Sequence, residues 1–147
     1  MDDLSDLQKA AKIAFASEFS FYLKAHQFHW NSVGRMFYQD HGLFGQIYEE
    51  VYDSIDSFAE RIRTFDTFMP GSYTRFSMLS AIDDETEILD VNSMYEELLS
   101  DNEKMLKVLK MVYDIAERFG KHGFSNFLAE RMDAHEKHGW MLKSTLK

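Results

Sequence analysis

Apolar positions recur along this chain at the three- and four-residue steps of a helix, without the two-residue alternation of a strand. From Asp3 to about His29 they run Leu4, Leu7, Ala11, Phe15, Phe19 and Tyr22, with His26 and His29 continuing the stripe. No glycine or proline interrupts this helix, and Asn31-Ser32-Val33-Gly34 then reads as a turn. A second helix, from about Tyr38 to Phe65, carries the line Phe44, Ile47, Val51, Ile55, Phe58, Ile62 and Phe65. It would span roughly 40 Å at the rise of an α-helix. Met69-Pro70-Gly71-Ser72 breaks it. Residues 70–90 are too many for a tight connection and contain a short patch, Phe76, Met78, Leu79 and Ile82. This predicts a crossover carrying a short helix, which sets the helices on either side of it parallel. The third long helix starts after a cap at Asp90 or Asn92 and runs through Leu98, Met105, Val108, Val112 and Ile115 to Phe119, where Gly120 stops it. The fourth runs from about Ser125 through Leu128, Met132 and His135 to Leu142. The pattern predicts an all-α four-helix bundle, with residues 1–147 forming one domain.

Composition narrows the class of function. No apolar run approaches the ~18 residues of a membrane span. Met1-Asp2-Asp3 does not open a signal peptide, so a soluble, cytoplasmic protein is expected. The absence of cysteine excludes disulfides, thiolate metal sites and a cysteine nucleophile. A net charge of −9 argues against a nucleic-acid surface and suits a protein that attracts cations.

The chemistry concentrates between His26 and Phe65. Glu49, Asp53, Asp56 and Glu60 are spaced i, i+4, i+7, i+11 and share one line of the second helix, roughly opposite its apolar line. They therefore face water or another subunit. Arg61 and Arg63 lie near enough to offset part of the charge, so a solvated face is the more ordinary reading of the row. Against that, the like-charged i, i+4 pairs each cost about 0.2–0.5 kcal/mol, which a divalent cation would remove. Carboxylates with imidazole and no sulfur suit iron, manganese or zinc. His29 and His41 are the imidazoles within reach of such a scheme, although a histidine ending an apolar stripe is more often hydrogen-bonded to backbone. One chain cannot easily bring both histidines and the outward acids onto the same ion; a two-fold partner can. The Glu-x-x-His pair of ordinary di-iron bundles is absent. His26/His29 and His135/His138 are His-x-x-His pairs without obvious further ligands. Trp30 and Trp140 read as packing residues. No phosphate-binding glycine loop, G-x-S-x-G or His-Glu-x-x-His occurs.

The run A-H-Q-F-H-W-N, then H-G-L-F beginning twelve residues after His29, then D-S-F-A-E-R-I-R from Asp56, resembles the Dps family of miniature ferritins, as does the C-terminal H-E-K-H-G-W-M-L. The resemblance covers nearly the whole chain. It implies a hollow homo-dodecamer with ferroxidase sites at two-fold interfaces, where His29 and His41 of one subunit and Asp56 and Glu60 of its partner bind iron. It implies oxidation of Fe(II), preferentially by hydrogen peroxide, with Trp30 beside the iron as an electron donor. Zinc or manganese could substitute for iron in such a site.

Three departures qualify that expectation. The family often carries H-E-x-F-D-E where this chain has His41-Gly42-Leu43-Phe44-Gly45-Gln46. Gly45 cannot supply the acid that helps hold a second iron, and the acids linked to mineral nucleation are also missing; one tight iron per site and poor storage are expected. At the three-fold pores, the positions matching the family's carboxylates are Asn126 and Glu130, so entry would rely on Glu130. The family's DNA-binding tails are basic, whereas Met1-Asp2-Asp3-Leu4-Ser5-Asp6 is acidic, which argues against tail-mediated DNA binding. A ferritin-like shell or DNA-protecting assembly with decayed metal chemistry is the alternative function.

Overall fold

A computed structural model describes residues 3–147, all of whose regular structure is helical; Met1 and Asp2 at the acidic start lie outside the described residues. The helices are α1 (Leu4–Asn31), α2 (Phe37–Arg63), α3 (Tyr73–Leu79), α4 (Val91–Arg118) and α5 (His122–Leu146). Helix α1 begins in a reciprocal cap. The Asp3 carboxylate accepts from the Asp6 amide at 3.2 Å, and the Asp6 carboxylate accepts from the Asp3 amide at 2.8 Å. Of the two caps expected at α4, Asp90 is the one used, accepting from Ser93 N at 2.9 Å. Gly120 ends α4 with φ +66, a conformation that costs a side chain dearly and glycine little. The reversal is so short that α5 starts at His122, earlier than the Ser125 expected. Ser125 N is already donating to Lys121 O at 2.9 Å.

Pairing follows the chain. His29 meets His41 and Phe15 meets Phe58, so α1 and α2 are antiparallel. Tyr95 near the start of α4 stacks on Phe44 at 4.7 Å and donates to Asp40 at 2.6 Å, both near the start of α2. Helices α2 and α4 therefore run parallel, as the crossover required. The short α3 buries none of its residues completely; it leans on α1 through Phe76, whose ring lies 4.7 Å from Phe19.

The core face of α1 follows the stripe drawn from the sequence at Leu7, Ala11 and Phe15 and departs from it elsewhere. Leu7, Ala11, Ala14, Phe21, Ala25 and Phe28 are buried, whereas Leu4 is exposed and Phe19 and Tyr22 are half-buried. Over 28 residues the two lines diverge. The Phe19–Tyr22 line turns into the groove against α2 and α3, leaving the small alanines to admit the bulky rings of the other helices. The tryptophans correct the sequence reading too: Trp30 is 58% and Trp140 65% exposed in the single chain, so neither packs into its core.

Candidate metal centre

His29 ends α1 and His41 begins α2, and the short turn between them folds the two residues against each other. Each Nδ1 donates to the other residue's backbone carbonyl, both at 2.7 Å. The rings stack at 3.7 Å between centroids and 19° between planes. With Nδ1 committed to a carbonyl, the neutral ring presents its Nε2 lone pair, the arrangement that ligating histidines adopt. Phe37 backs His41 at 5.0 Å, and Tyr48 backs His29 at 5.1 Å. Gly45 lies directly beneath: a Cβ there would sit 3.1 Å from His29 Cε1 and Nδ1. The imidazole occupies the room into which a side chain at 45 would project.

Asp56 and Glu60 lie on the same helix as His41, but 15 and 19 residues further on. At 1.5 Å per residue that is about 22–28 Å away. Glu49, Asp53, Asp56 and Glu60 are all exposed on one face. Among the described residues neither nearby arginine forms a salt bridge with them. Arg61 donates to Ser57 Oγ at 3.1 Å and lies over the Phe127 ring, while Arg63 donates to Thr67 O at 2.9 Å and lies over Phe68. Among the described residues no three metal-ligating side chains of this one chain gather into a metal site. Within one chain the paired histidines and the acids of α2 therefore stand apart. Trp30 sits beside the histidines with its ring 4.1 Å from that of His26. Asn126 and Glu130 are exposed near the start of α5.

A second set of histidines and carboxylates, not anticipated as a group from the sequence, lies inside the bundle. Glu18 and His135 are 0% exposed and joined carboxylate to Nε2. Asn102 Nδ2 donates to the His135 carbonyl at 2.8 Å, which turns its Oδ1 toward His135 Nδ1 at 2.7 Å. Both ring nitrogens of His135 are therefore engaged by side-chain oxygens, leaving neither turned toward a metal. The Arg131 guanidinium bridges Glu18 and Glu50, and His138 Nε2 donates to Glu50 at 2.8 Å. Burial would raise the Glu18 carboxyl, but the charges of His135 and Arg131 outweigh it and hold it below the usual range. Burial opposes ionisation of Glu50 as well; hydrogen bonds from His138 and Arg131 win and bring it down to about 2. Burial lowers His138, whose Nδ1 has no hydrogen-bond partner, so the ring stays neutral. A cation is already supplied here, by a side chain.

A ferritin-like domain model matches residues 8–147. The DNA protection during starvation protein 2 of Bacillus anthracis is 30% identical over 125 residues, covering 85% of this chain and 86% of that protein. The crystal structure of Dps from Staphylococcus aureus superposes with a TM-score of 0.94 at 27% identity, covering 100% of this chain and 99% of that one. A Vibrio cholerae Dps protein, described as a member of a broad superfamily of ferritin-like diiron-carboxylate proteins, matches with a TM-score of 0.93 at 27% identity over 98% and 91% of the two chains.

Proposed function

The chain belongs to the ferritin-like family, among the Dps proteins, and on that premise we propose that it is a ferroxidase whose sites are shared between subunits. Its substrate is Fe(II), oxidised by hydrogen peroxide in the cytoplasm of the source cell to limit iron-driven oxidative damage. His29 and His41 of one subunit supply Nε2 donors, and Asp56 and Glu60 of a two-fold mate supply oxygens. The assembly is a homo-oligomer, a dodecamer on the family pattern. The observation that carries this reading is the divided donor set: paired histidines with their Nδ1 atoms tied back, and acids about 22–28 Å along the same helix.

The donor set fits iron, a borderline cation at home with imidazole and carboxylate. Zinc or manganese would fit the same donors without supporting the same oxidation. Acidic ligands from the partner hold Fe(III) more strongly than Fe(II), so they favour the oxidised product electrostatically. Gly45 provides no third carboxylate, and the His29 ring crowds that position, which supports one tightly held iron per site and limited mineral storage. Fe(II) would reach the cavity past Glu130, with Asn126 adding no charge.

The name of the Bacillus anthracis relative favours a second reading, a shell that guards DNA. The net charge of −9 opposes direct contact with DNA, so a gel shift should appear only where magnesium bridges the two anions. The ferroxidase proposal is tested by anaerobic Fe(II) loading followed by a peroxide pulse, with ferric absorbance as readout. Rapid oxidation in the native protein that collapses in both His29→Ala and Asp56→Ala supports it; rates equal to iron in buffer would sink it.

A further inference from the structure

A cleft of about 440 Å³ opens at one end of the bundle, where the starts of α2 and α4 meet the end of α5. That volume is in the range of small-ligand sites. We propose that it binds a primary ammonium group on an alkyl stem, with Asp40 as the counter-ion.

Asp40 lines the cleft and is only 9% exposed. Its Oδ1 accepts from the Tyr95 hydroxyl at 2.6 Å, and Tyr95 is fixed in turn by stacking on Phe44 at 4.7 Å and 24°. That partner is a neutral phenol, and no basic side chain lines the cleft. Buried carboxylates are ordinarily paired with a cation. Glu18 and Glu50 follow that rule through Arg131, whereas Asp40 departs from it.

The remaining polar groups of the wall are acceptors. Thr145 Oγ1 already donates to Met141 O at 2.8 Å, and Asn92 Nδ2 to Glu96 Oε1 at 3.0 Å, which leaves the oxygen of each uncommitted. One anion and two neutral oxygens match the three N–H donors of a primary ammonium. Met36, Leu43 and Val91 supply apolar wall for its methylenes.

Other cations fit less well. Calcium takes six or more oxygens, generally with several carboxylates among them. A guanidinium prefers both oxygens of a carboxylate side by side, and Tyr95 already holds one of them. A quaternary ammonium calls for a cage of aromatic faces, and Tyr95 is the one ring lining the cleft. The ammonium has two sources of the same chemistry, a free alkylamine or a lysine side chain of another copy of this chain.

The test is calorimetric titration of the assembled protein with n-butylamine at fixed ionic strength, with n-butanol as the uncharged counterpart. Butylamine should bind saturably at one site per chain, and butanol should not. Asp40→Asn keeps an acceptor for Tyr95 and should weaken amine binding roughly ten- to a hundredfold. Thr145→Lys brings an ammonium of the chain's own to the cleft and should block butylamine, so the proposal stays open to refutation if Asp40→Asn fails to fold. Glu87→Gln, an exposed acid of the crossover, should change nothing. If native protein takes up no amine, carbodiimide coupling of assemblies mixed from isotopically light and heavy chains identifies the source: an amide from Asp40 of one chain to a lysine of another places the ammonium on a second copy. Amine uptake left unchanged by Asp40→Asn or by Thr145→Lys overturns the proposal. So does an absence of both uptake and an amide between chains. Iron oxidation is not the readout, so either result leaves the ferroxidase reading where it stands.

Discussion

Two groups of histidines and carboxylates sit in this bundle, and they are built in opposite ways. The inner group, Glu18, Glu50, Asn102, Arg131, His135 and His138, is closed: its acids are matched by a guanidinium and by the imidazoles of His135 and His138. The outer group is open: His29 and His41 present free Nε2 atoms, and Asp56 and Glu60 face outward without a salt bridge among the described residues. Both groups draw on histidines and carboxylates. Completion within one chain separates a structural polar core from the group we propose to bind a cation with a partner's help.

The largest expected effect lies in the inner group. Arg131→Leu strands Glu18 and Glu50 without their cation, and should cost about 3–5 kcal/mol in chemical denaturation. Asp56→Asn should change stability by no more than about 0.5 kcal/mol, as for most exposed substitutions, yet abolish peroxide-driven iron oxidation. An Arg131 variant as stable as the native protein would break the comparison.

Glu18→Gln should rank next, at about 1–3 kcal/mol, because it leaves His135 and Arg131 with a weaker acceptor in a buried site.

Acid sharpens the contrast further. Glu50 is held down to about 2 from an ordinary 4.5, so the stability it confers is present above about pH 4.5 and lost as pH falls toward about 2. His138, lowered by burial, acts in the same direction. It favours the fold while neutral and opposes it once pH drops below the ordinary histidine range. Denaturation midpoints should therefore fall on acidification, and Glu50→Gln should flatten the part between about pH 4.5 and pH 2. An unchanged acid profile in that variant would contradict the account.

The smallest effect concerns occupancy. Equilibrium Fe(II) titration should find one tight iron per shared site, because Gly45 offers no ligand; two tight irons would show that another group replaces the missing acid.

The sequence made the outer group legible and left the inner one hidden, for a physical reason. The acids of α2 fall opposite its apolar line, so their outward direction follows from the helical period alone. Glu18 instead falls in register with Leu7, Ala11, Ala14, Phe21, Ala25 and Phe28, all of them buried. Arg131, His135 and His138 likewise fall between Leu128 and Leu142 on the core line of α5. A polar residue at a core position is itself the signal, but only the packed bundle reveals that three helices aim theirs at one another and at Glu50. The α1 stripe shared Leu7 and Ala11 with this register and then left it, stepping to Phe15, Phe19 and Tyr22 where the buried line steps to Ala14, Glu18 and Phe21. The crossover, the Asp90 cap and the Gly120 stop were readable because each depends on local backbone chemistry.

The central claim is that each site takes histidines from one subunit and acids from another. Its most direct test reassembles His29→Ala chains with Asp56→Ala chains and measures peroxide-driven Fe(II) oxidation. Each variant alone should be inactive. In a mixed pair one site loses both contributions while the other receives native His29 and His41 from one chain and native Asp56 and Glu60 from its mate. Random pairing should then restore about one quarter of the native rate. A mixture as inactive as either variant alone, from chains shown to have exchanged, would contradict the shared site.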